Sequence, residues 1–186
     1  MTDREIIENI LEKKGNELRN LLMEYTKKVD FHDYEKNNKI HIYTGAEEEL
    51  DFGNLIDGAQ KIMKKADEVW MVINYKGIKS ADFIVRFGKV YKYLDQKSIT
   101  SINSIEQEID QSIEQAHRFL LNIKSSNSSH KKIASQLSAC FTKHKELSEI
   151  IIVQSGKYLS INRDESENKD FYKWLRKLWG QKKAKA

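Results

Sequence analysis

The hydrophobic and polar positions of the chain switch repeatedly between a helical and a strand period. Residues 3–29 place Ile6, Ile7, Ile10, Leu11, Leu18, Leu21, Leu22 and Tyr25 on one side at helical spacing. That predicts one helix, with Gly15 marking a bend. KIHIY at 39–43 predicts a short strand. Residues 54–66 return to helical spacing, with Leu55, Ile56, Ala59, Ile62, Met63 and Ala66 on one face. The period then shortens. EVWMVIN (68–74) has strand composition, KGIKS (76–80) reads as a turn, and ADFIVRF (81–87) and KVYKYLD (89–95) predict a hairpin closed at Gly88. Residues 102–116 carry the helical stripe Ile102, Ile105, Ile109, Ile113 and Ala116, and RFLLNI (118–123) predicts a buried strand. A polar loop at 124–131 precedes a helix over 131–145. A second hairpin is expected over 149–164, turning near Gly156. A linker at 165–169 leads to a last helix over 170–180.

From 54 to 123 the predicted order is helix, strand, strand, strand, helix, strand. The fold class expected is α/β (α+β), an αβββαβ core with an N-terminal helix, a C-terminal hairpin and a terminal helix. In ranges, this is an N-terminal helical extension with a short strand (1–44), a core (45–164), and a C-terminal amphipathic helix with a basic tail (165–186). At 186 residues the chain can bury a real core without a metal or disulfide. The single cysteine, Cys140, excludes an internal disulfide and a Cys-rich zinc site. No window is apolar enough for a membrane span, and the acidic start MTDREIIENILEKKGNE does not read as a signal peptide, so a cytoplasmic location is expected. A net charge of +4 permits an acidic partner without demanding one.

One constellation carries chemistry. Asp82 lies near the start of the second predicted strand, and Asp95, Gln96 and Lys97 lie at the end of the third. A tight hairpin between them brings its two ends side by side. Asp95 and Lys97 are two positions apart, so on a strand they project from one face. Two carboxylates form a hard, oxygen-rich site suited to Mg²⁺. A lysine beside them can orient or deprotonate water, or stabilise charge on a phosphate.

The pattern SAD82…D95QK97, set in that order of elements, resembles the PD-(D/E)xK nuclease superfamily. The wider stretch NYKGIKSADFIVRFGKVYKYLDQKSI…NSIEQEIDQSIEQAHRFLLNI is similar to nuclease domains at the C-terminal ends of contact-dependent growth-inhibition toxins and of related phage or mobile-element proteins. The resemblance covers about residues 45–163. It implies a restriction-endonuclease-like core and a metal-dependent nuclease acting on RNA, tRNA among the candidates, or on DNA, as a toxin or mobile-element effector. Asp82 and Asp95 would be ligands of Mg²⁺ or Mn²⁺, Lys97 the catalytic lysine, and Gln115 the supporting glutamine of the helix after the motif. A further acid before the first core strand is common in the superfamily. Glu48, Glu49 and Asp51 qualify, and Glu49 is taken as the third ligand. The implied partners are nucleic acid and a cognate immunity protein, with delivery by a larger system. Ala81 replaces the motif proline, which is not a ligand.

Two alternatives stand beside this reading. One is a nuclease fold kept for binding or regulation without activity. The other is a metal-independent RNase of the barnase/colicin type, in which Lys97 and a nearby polar residue do the chemistry. The five histidines show no metal-ligand spacing, and Cys140 sits on an apolar helix face. The aromatic-basic segment FYKWLRKLWGQKKAKA predicts a helix docked on the domain by Phe171, Trp174, Leu175, Leu178 and Trp179.

Overall fold

In the computed structural model, which describes residues 2–28, 30–75, 77–125 and 129–180, the helical period of the N-terminus is divided. It forms α1 (Asp3–Ile10) and α2 (Gly15–Tyr25) rather than one helix. Gly15 adopts φ +56°, a left-handed conformation that no continuous α-helix contains and that glycine enters without penalty. The break lets the apolar sides of both segments, Ile6, Ile7 and Ile10 with Leu22 and Tyr25, meet in one cluster.

Two strands follow, β1 (Phe31–Tyr34) and β2 (Asn37–Tyr43). β1 was not legible in the sequence, because FHDY lacks an apolar alternation. Then come α3 (Phe52–Ile62), β3 (Glu68–Met71), β4 (Phe83–Phe87) and β5 (Val90–Ile99). α4 (Ile105–Ser112), β6 (Arg118–Ile123), α5 (His130–Lys143), β7 (Glu149–Gln154) and β8 (Lys157–Asn162) complete the sheet and its cover. The expected linker at 165–169 partly belongs to a short helix, α6 (Arg163–Ser166), and α7 (Phe171–Gly180) closes the described chain. Residues 126–128 of the expected polar loop and the basic tail beyond 180 lie outside the described residues.

Among the described residues, eight strands make one sheet in chain order, β1 to β8. β3, β4 and β5 form an antiparallel meander. β5, β6 and β7 are parallel, and β2 runs parallel to β3. The α3–β3–β4–β5–α4–β6 order expected over 54–123 is therefore present, in a mixed α+β fold. The sheet also crosses the boundary expected at residue 44, since β2 pairs with β3 through Ile40, His41 and Ile42. The turn from β7 to β8 uses Ser155 and Gly156, both with positive φ, as in a two-residue type I′ hairpin.

Alternation along the strands sorts the core into two layers. One face carries Ile40, Ile42, Val69, Met71, Phe83, Val85, Leu94, Leu120, Ile151 and Val153, and α3 covers it. Trp70, Ile84 and Tyr93 face the other way, under α1 and α2. Phe119, Leu121, Ile150 and Ile152 continue that second face under α4, α5 and α7. Phe171, Leu175 and Trp179 dock α7 as the sequence pattern predicts.

Candidate active site

β5 is longer than its partner β4. Leu94 pairs with Phe83, the first residue of β4, and from Asp95 onward β5 pairs with β6 instead. The sheet therefore opens at Asp95, and a backbone donor facing the gap needs another acceptor. Asp82, just before β4, supplies it: its Oδ2 accepts the Gln96 N–H at 2.7 Å. Two further bonds fix this corner. Val72 N–H donates to the Asp82 carbonyl at 2.8 Å, and Ala81 N–H donates to the Tyr93 hydroxyl at 2.8 Å.

The expected pair thus meets where the strands part. Asp95 is only 2% exposed, and Lys97, two positions on, extends from the same face with its Nζ 2.9 Å from Asp95 Oδ2. That ammonium lies off the hydrogen-bond direction, so the buried Asp95 Oδ2 has no aligned donor. Burial and the neighbouring Asp95 charge hold the Asp82 carboxyl well above the usual carboxylate range. Burial pushes Asp95 up to about 6, against the opposing pull of Lys97, with the charges of Asp51 and Glu108 adding to the rise. Four acids therefore act on one small region.

Asp51 and Glu49 separate here. Asp51 occupies the N-cap position of α3, where an aspartate ordinarily accepts a helix N–H, yet its side chain makes no capping bond. Its charge bears on both Asp82 and Asp95. Glu49 turns instead to the backbone, where its Oε1 accepts the Asn74 N–H at 3.0 Å. Burial raises its pKa despite that bond. Among the described residues no three His, Cys, Asp or Glu side chains converge on one metal-sized point, so Asp82, Asp95 and Glu49 do not stand as a ready three-carboxylate cluster.

Gln115 departs from its expected place. α4 ends at Ser112, and Gln115 lies in the turn beyond it, its N–H bonded to the Ser112 carbonyl at 2.8 Å. The helical stripe overran the helix because Ala116 is apolar for another reason: it is buried under α1 and α2, where the chain turns into β6. No side-chain hydrogen bond among the described residues joins Gln115 to Asp82, Asp95 or Lys97. α4 does supply an unforeseen acid, Glu108, whose charge reaches Asp95. It lies one position from the buried Ile109, the single hint the sequence held.

A divalent cation suits what is present. The donor set is hard carboxylate oxygen, one buried oxygen lacks an aligned donor, and the two carboxyls repel each other without a counter-charge. Asp82 and Asp95 are the side chains that would hold it.

Comparison with known proteins adds a family likeness. The family model of the contact-dependent growth inhibition CdiA C-terminal domain matches residues 79–158, from just before Asp82 into β8. No curated protein matches the chain. Among solved structures, a CdiA-CT/CdiI toxin and immunity complex from Burkholderia pseudomallei is similar at 16% identity and a TM-score of 0.45, over 60% of this chain and 84% of that one. The chain is thus similar to the contact-dependent growth inhibition CdiA C-terminal domain over the segment that holds Asp82, Asp95 and Lys97.

Proposed function

We propose that this chain is a toxic effector domain that cleaves phosphodiester bonds in RNA or DNA, with a PD-(D/E)xK type of site and a cognate immunity protein as its protein partner. The observation that carries the reading is that Asp82, bonded to the Gln96 N–H, and the Asp95–Lys97 ion pair both lie where β4 and β5 part, within the segment similar to the CdiA C-terminal domain. A bound Mg²⁺ or Mn²⁺ would neutralise the scissile phosphate and acidify a water. The protein's own contribution is positional and electrostatic. The Gln96 N–H fixes the Asp82 carboxylate, and the Asp82 and Asp95 charges together create the demand for a cation. The Lys97 ammonium, held against Asp95 and half-buried, offers positive charge and N–H donors to a phosphate oxygen or an attacking water.

The test is cleavage of tRNA, single-stranded RNA and duplex DNA, with Mg²⁺ and with excess chelator. Cleavage of at least one substrate that stops in chelator and in the Asp82→Ala variant is expected. Equal cleavage in chelator would replace this reading with a metal-independent RNase. Inactivity on every substrate would replace it with a binding protein that keeps the fold.

A further inference from the structure

On the opposite face of β5 from Asp95 and Lys97, a second polar constellation fills the space under α3. Asn54, Asp57, Gly58 and Lys61 recur at helical spacing, so one stripe of α3 is polar or bare where it meets β5 and β6. Gln96, 6% exposed, points into this stripe, and its Nε2 donates to the Asn54 carbonyl at 2.8 Å. Gly58 makes room for it: a Cβ there would overlap Gln96 Oε1 and fall 2.5 Å from Gln96 Cδ. One turn along, the fully buried Asn122 of β6 donates to Asp57 Oδ2 at 2.8 Å. Lys61 Nζ bonds both Asp57 Oδ2 and Asn122 Oδ1 at 2.8 Å. Lys124 completes the set with a hydrogen bond to Asp57 Oδ2.

Gln96 is thus bonded on two sides. Its main chain holds Asp82, and its side chain holds the first turn of α3. That turn begins at Asp51, whose carboxylate caps nothing and whose charge reaches Asp82 and Asp95. Packing of Leu55, Ala59 and Ile62 would keep α3 on the sheet without this link. Apolar contact is non-directional, however, and tolerates sliding of a helix along its axis. A hydrogen bond seated over a glycine does not.

We infer that Gln96 is a positioning residue: by wedging its amide over Gly58 and onto the Asn54 carbonyl, it sets how far Asp51 at the start of α3 stands from Asp82 and Asp95. The inference rests on the proposed cation site, and deepens it by naming what holds the Asp51 charge beside that site. Gln96→Ala removes the wedge, while Gln96→Met fills the space over Gly58 without the bond. Both keep the main-chain N–H that holds Asp82.

Two readouts decide it. The first is the Mg²⁺ concentration that half-saturates the thermal shift of the folded protein. In Gln96→Ala and Gln96→Met it should rise roughly tenfold, the usual cost of losing a group that orients a ligand. The same substitutions made in an Asp51→Asn background should add little, because the acid they position is already gone. A purely structural role would lower the melting temperature in chelator, leave the Mg²⁺ midpoint alone, and add independently of Asp51→Asn. That outcome overturns the inference. The second readout is amide exchange in chelator. Protection of the amides that bond back to the first turn of α3, Leu55 to Gly58, should fall in Gln96→Met while β4 and β5 keep theirs. If the wild-type chain binds no cation, the metal-dependent reading fails on its own, and unchanged protection in α3 would then overturn the positioning role separately.

Discussion

The two faces of β5 treat carboxylates in opposite ways. Under α3, Asp57 concentrates three donors, Lys61, Asn122 and Lys124, on a single oxygen. Although burial alone would raise its pKa, these bonds hold it far below the usual carboxylate range. At the sheet opening, Asp82 and Asp95 share one backbone N–H and one lysine between them and both are raised above that range. The first arrangement is satisfied and holds a helix to a sheet. The second is left short of positive charge, the pattern that marks a candidate functional site. Charge pairing alone does not identify a functional site; the balance of donors against acceptors separates the two faces.

The largest contrast should appear in cleavage. Asp95→Ala and Asp82→Ala are expected to lower the rate on the order of a thousandfold or more, by removing cation affinity. Lys97→Ala should cost on the order of a hundredfold while cation binding survives, because the lysine acts on phosphate or water. Asp57→Ala should leave cleavage per folded molecule within about threefold, an effect far smaller than loss of a group at the reacting centre. Single-turnover rates with saturating Mg²⁺ measure all four. A hundredfold loss in Asp57→Ala would mean that the two faces are one functional unit.

Stability should invert that ranking. Asp57→Ala strands Lys124 and the Asn122 amide, and should destabilise by about 1–2 kcal/mol, discounted because the carboxyl is partly exposed. Asp95→Asn should stabilise the metal-free protein at pH 7. A carboxyl pushed up to about 6 in the fold, against about 3.9 in the unfolded chain, opposes folding on the order of 2–3 kcal/mol once ionised. Urea unfolding in chelator tests both signs. Asp95→Asn coming out less stable than wild type would return Asp95 to an ordinary structural ion pair with Lys97.

The smallest effect is in the pH dependence. The protonated Asp95 carboxyl supports the fold fully below about pH 4, and that support is lost as pH rises through about 6. Asp57, with its pKa depressed, supports the fold above the ordinary aspartate pKa and loses that support as pH falls through its lowered value. The melting temperature of Asp95→Asn minus that of wild type, in chelator, should therefore be near zero at pH 4 and grow by several degrees up to pH 7. The same difference for Asp57→Ala should be negative at pH 7 and shrink toward acid. Saturating Mg²⁺ should abolish the first trend and leave the second.

Much of this was legible in residue order alone. Strand composition at 68–74, 81–87, 89–95 and 118–123 and the glycine at 88 were enough to place the hairpin, the strand before it and the buried strand after α4. Two-residue spacing was enough to put Asp95 and Lys97 on one face. Those features are local, because the period of a strand or helix is set by backbone geometry that neighbouring residues share. Gly15 was visible as an interruption, but whether it bends a helix or ends one depends on what the two halves pack against. The extent of α4 was misread for the same reason, since Ala116 is buried by α1 and α2 and not by its own helix. Gln96 was written in the motif as the residue between an acid and a lysine, with no sign of a role. Its partner Gly58 lies 38 positions away, and only the packing of α3 on β5 shows that one was bare so that the other could fit. The sequence by itself determined which residue types carry charge, which segments alternate, and that the two aspartates and the lysine lie at the ends of one hairpin. The tertiary structure decided that Asp82 accepts the Gln96 N–H beside Asp95, that Glu49 turns to the Asn74 N–H, and that, among the described residues, Asp57 gathers three donors on one oxygen while Asp95 pairs with Lys97 alone. Those outcomes depend on distances between elements far apart in the chain, and no local pattern encodes a distance across a sheet.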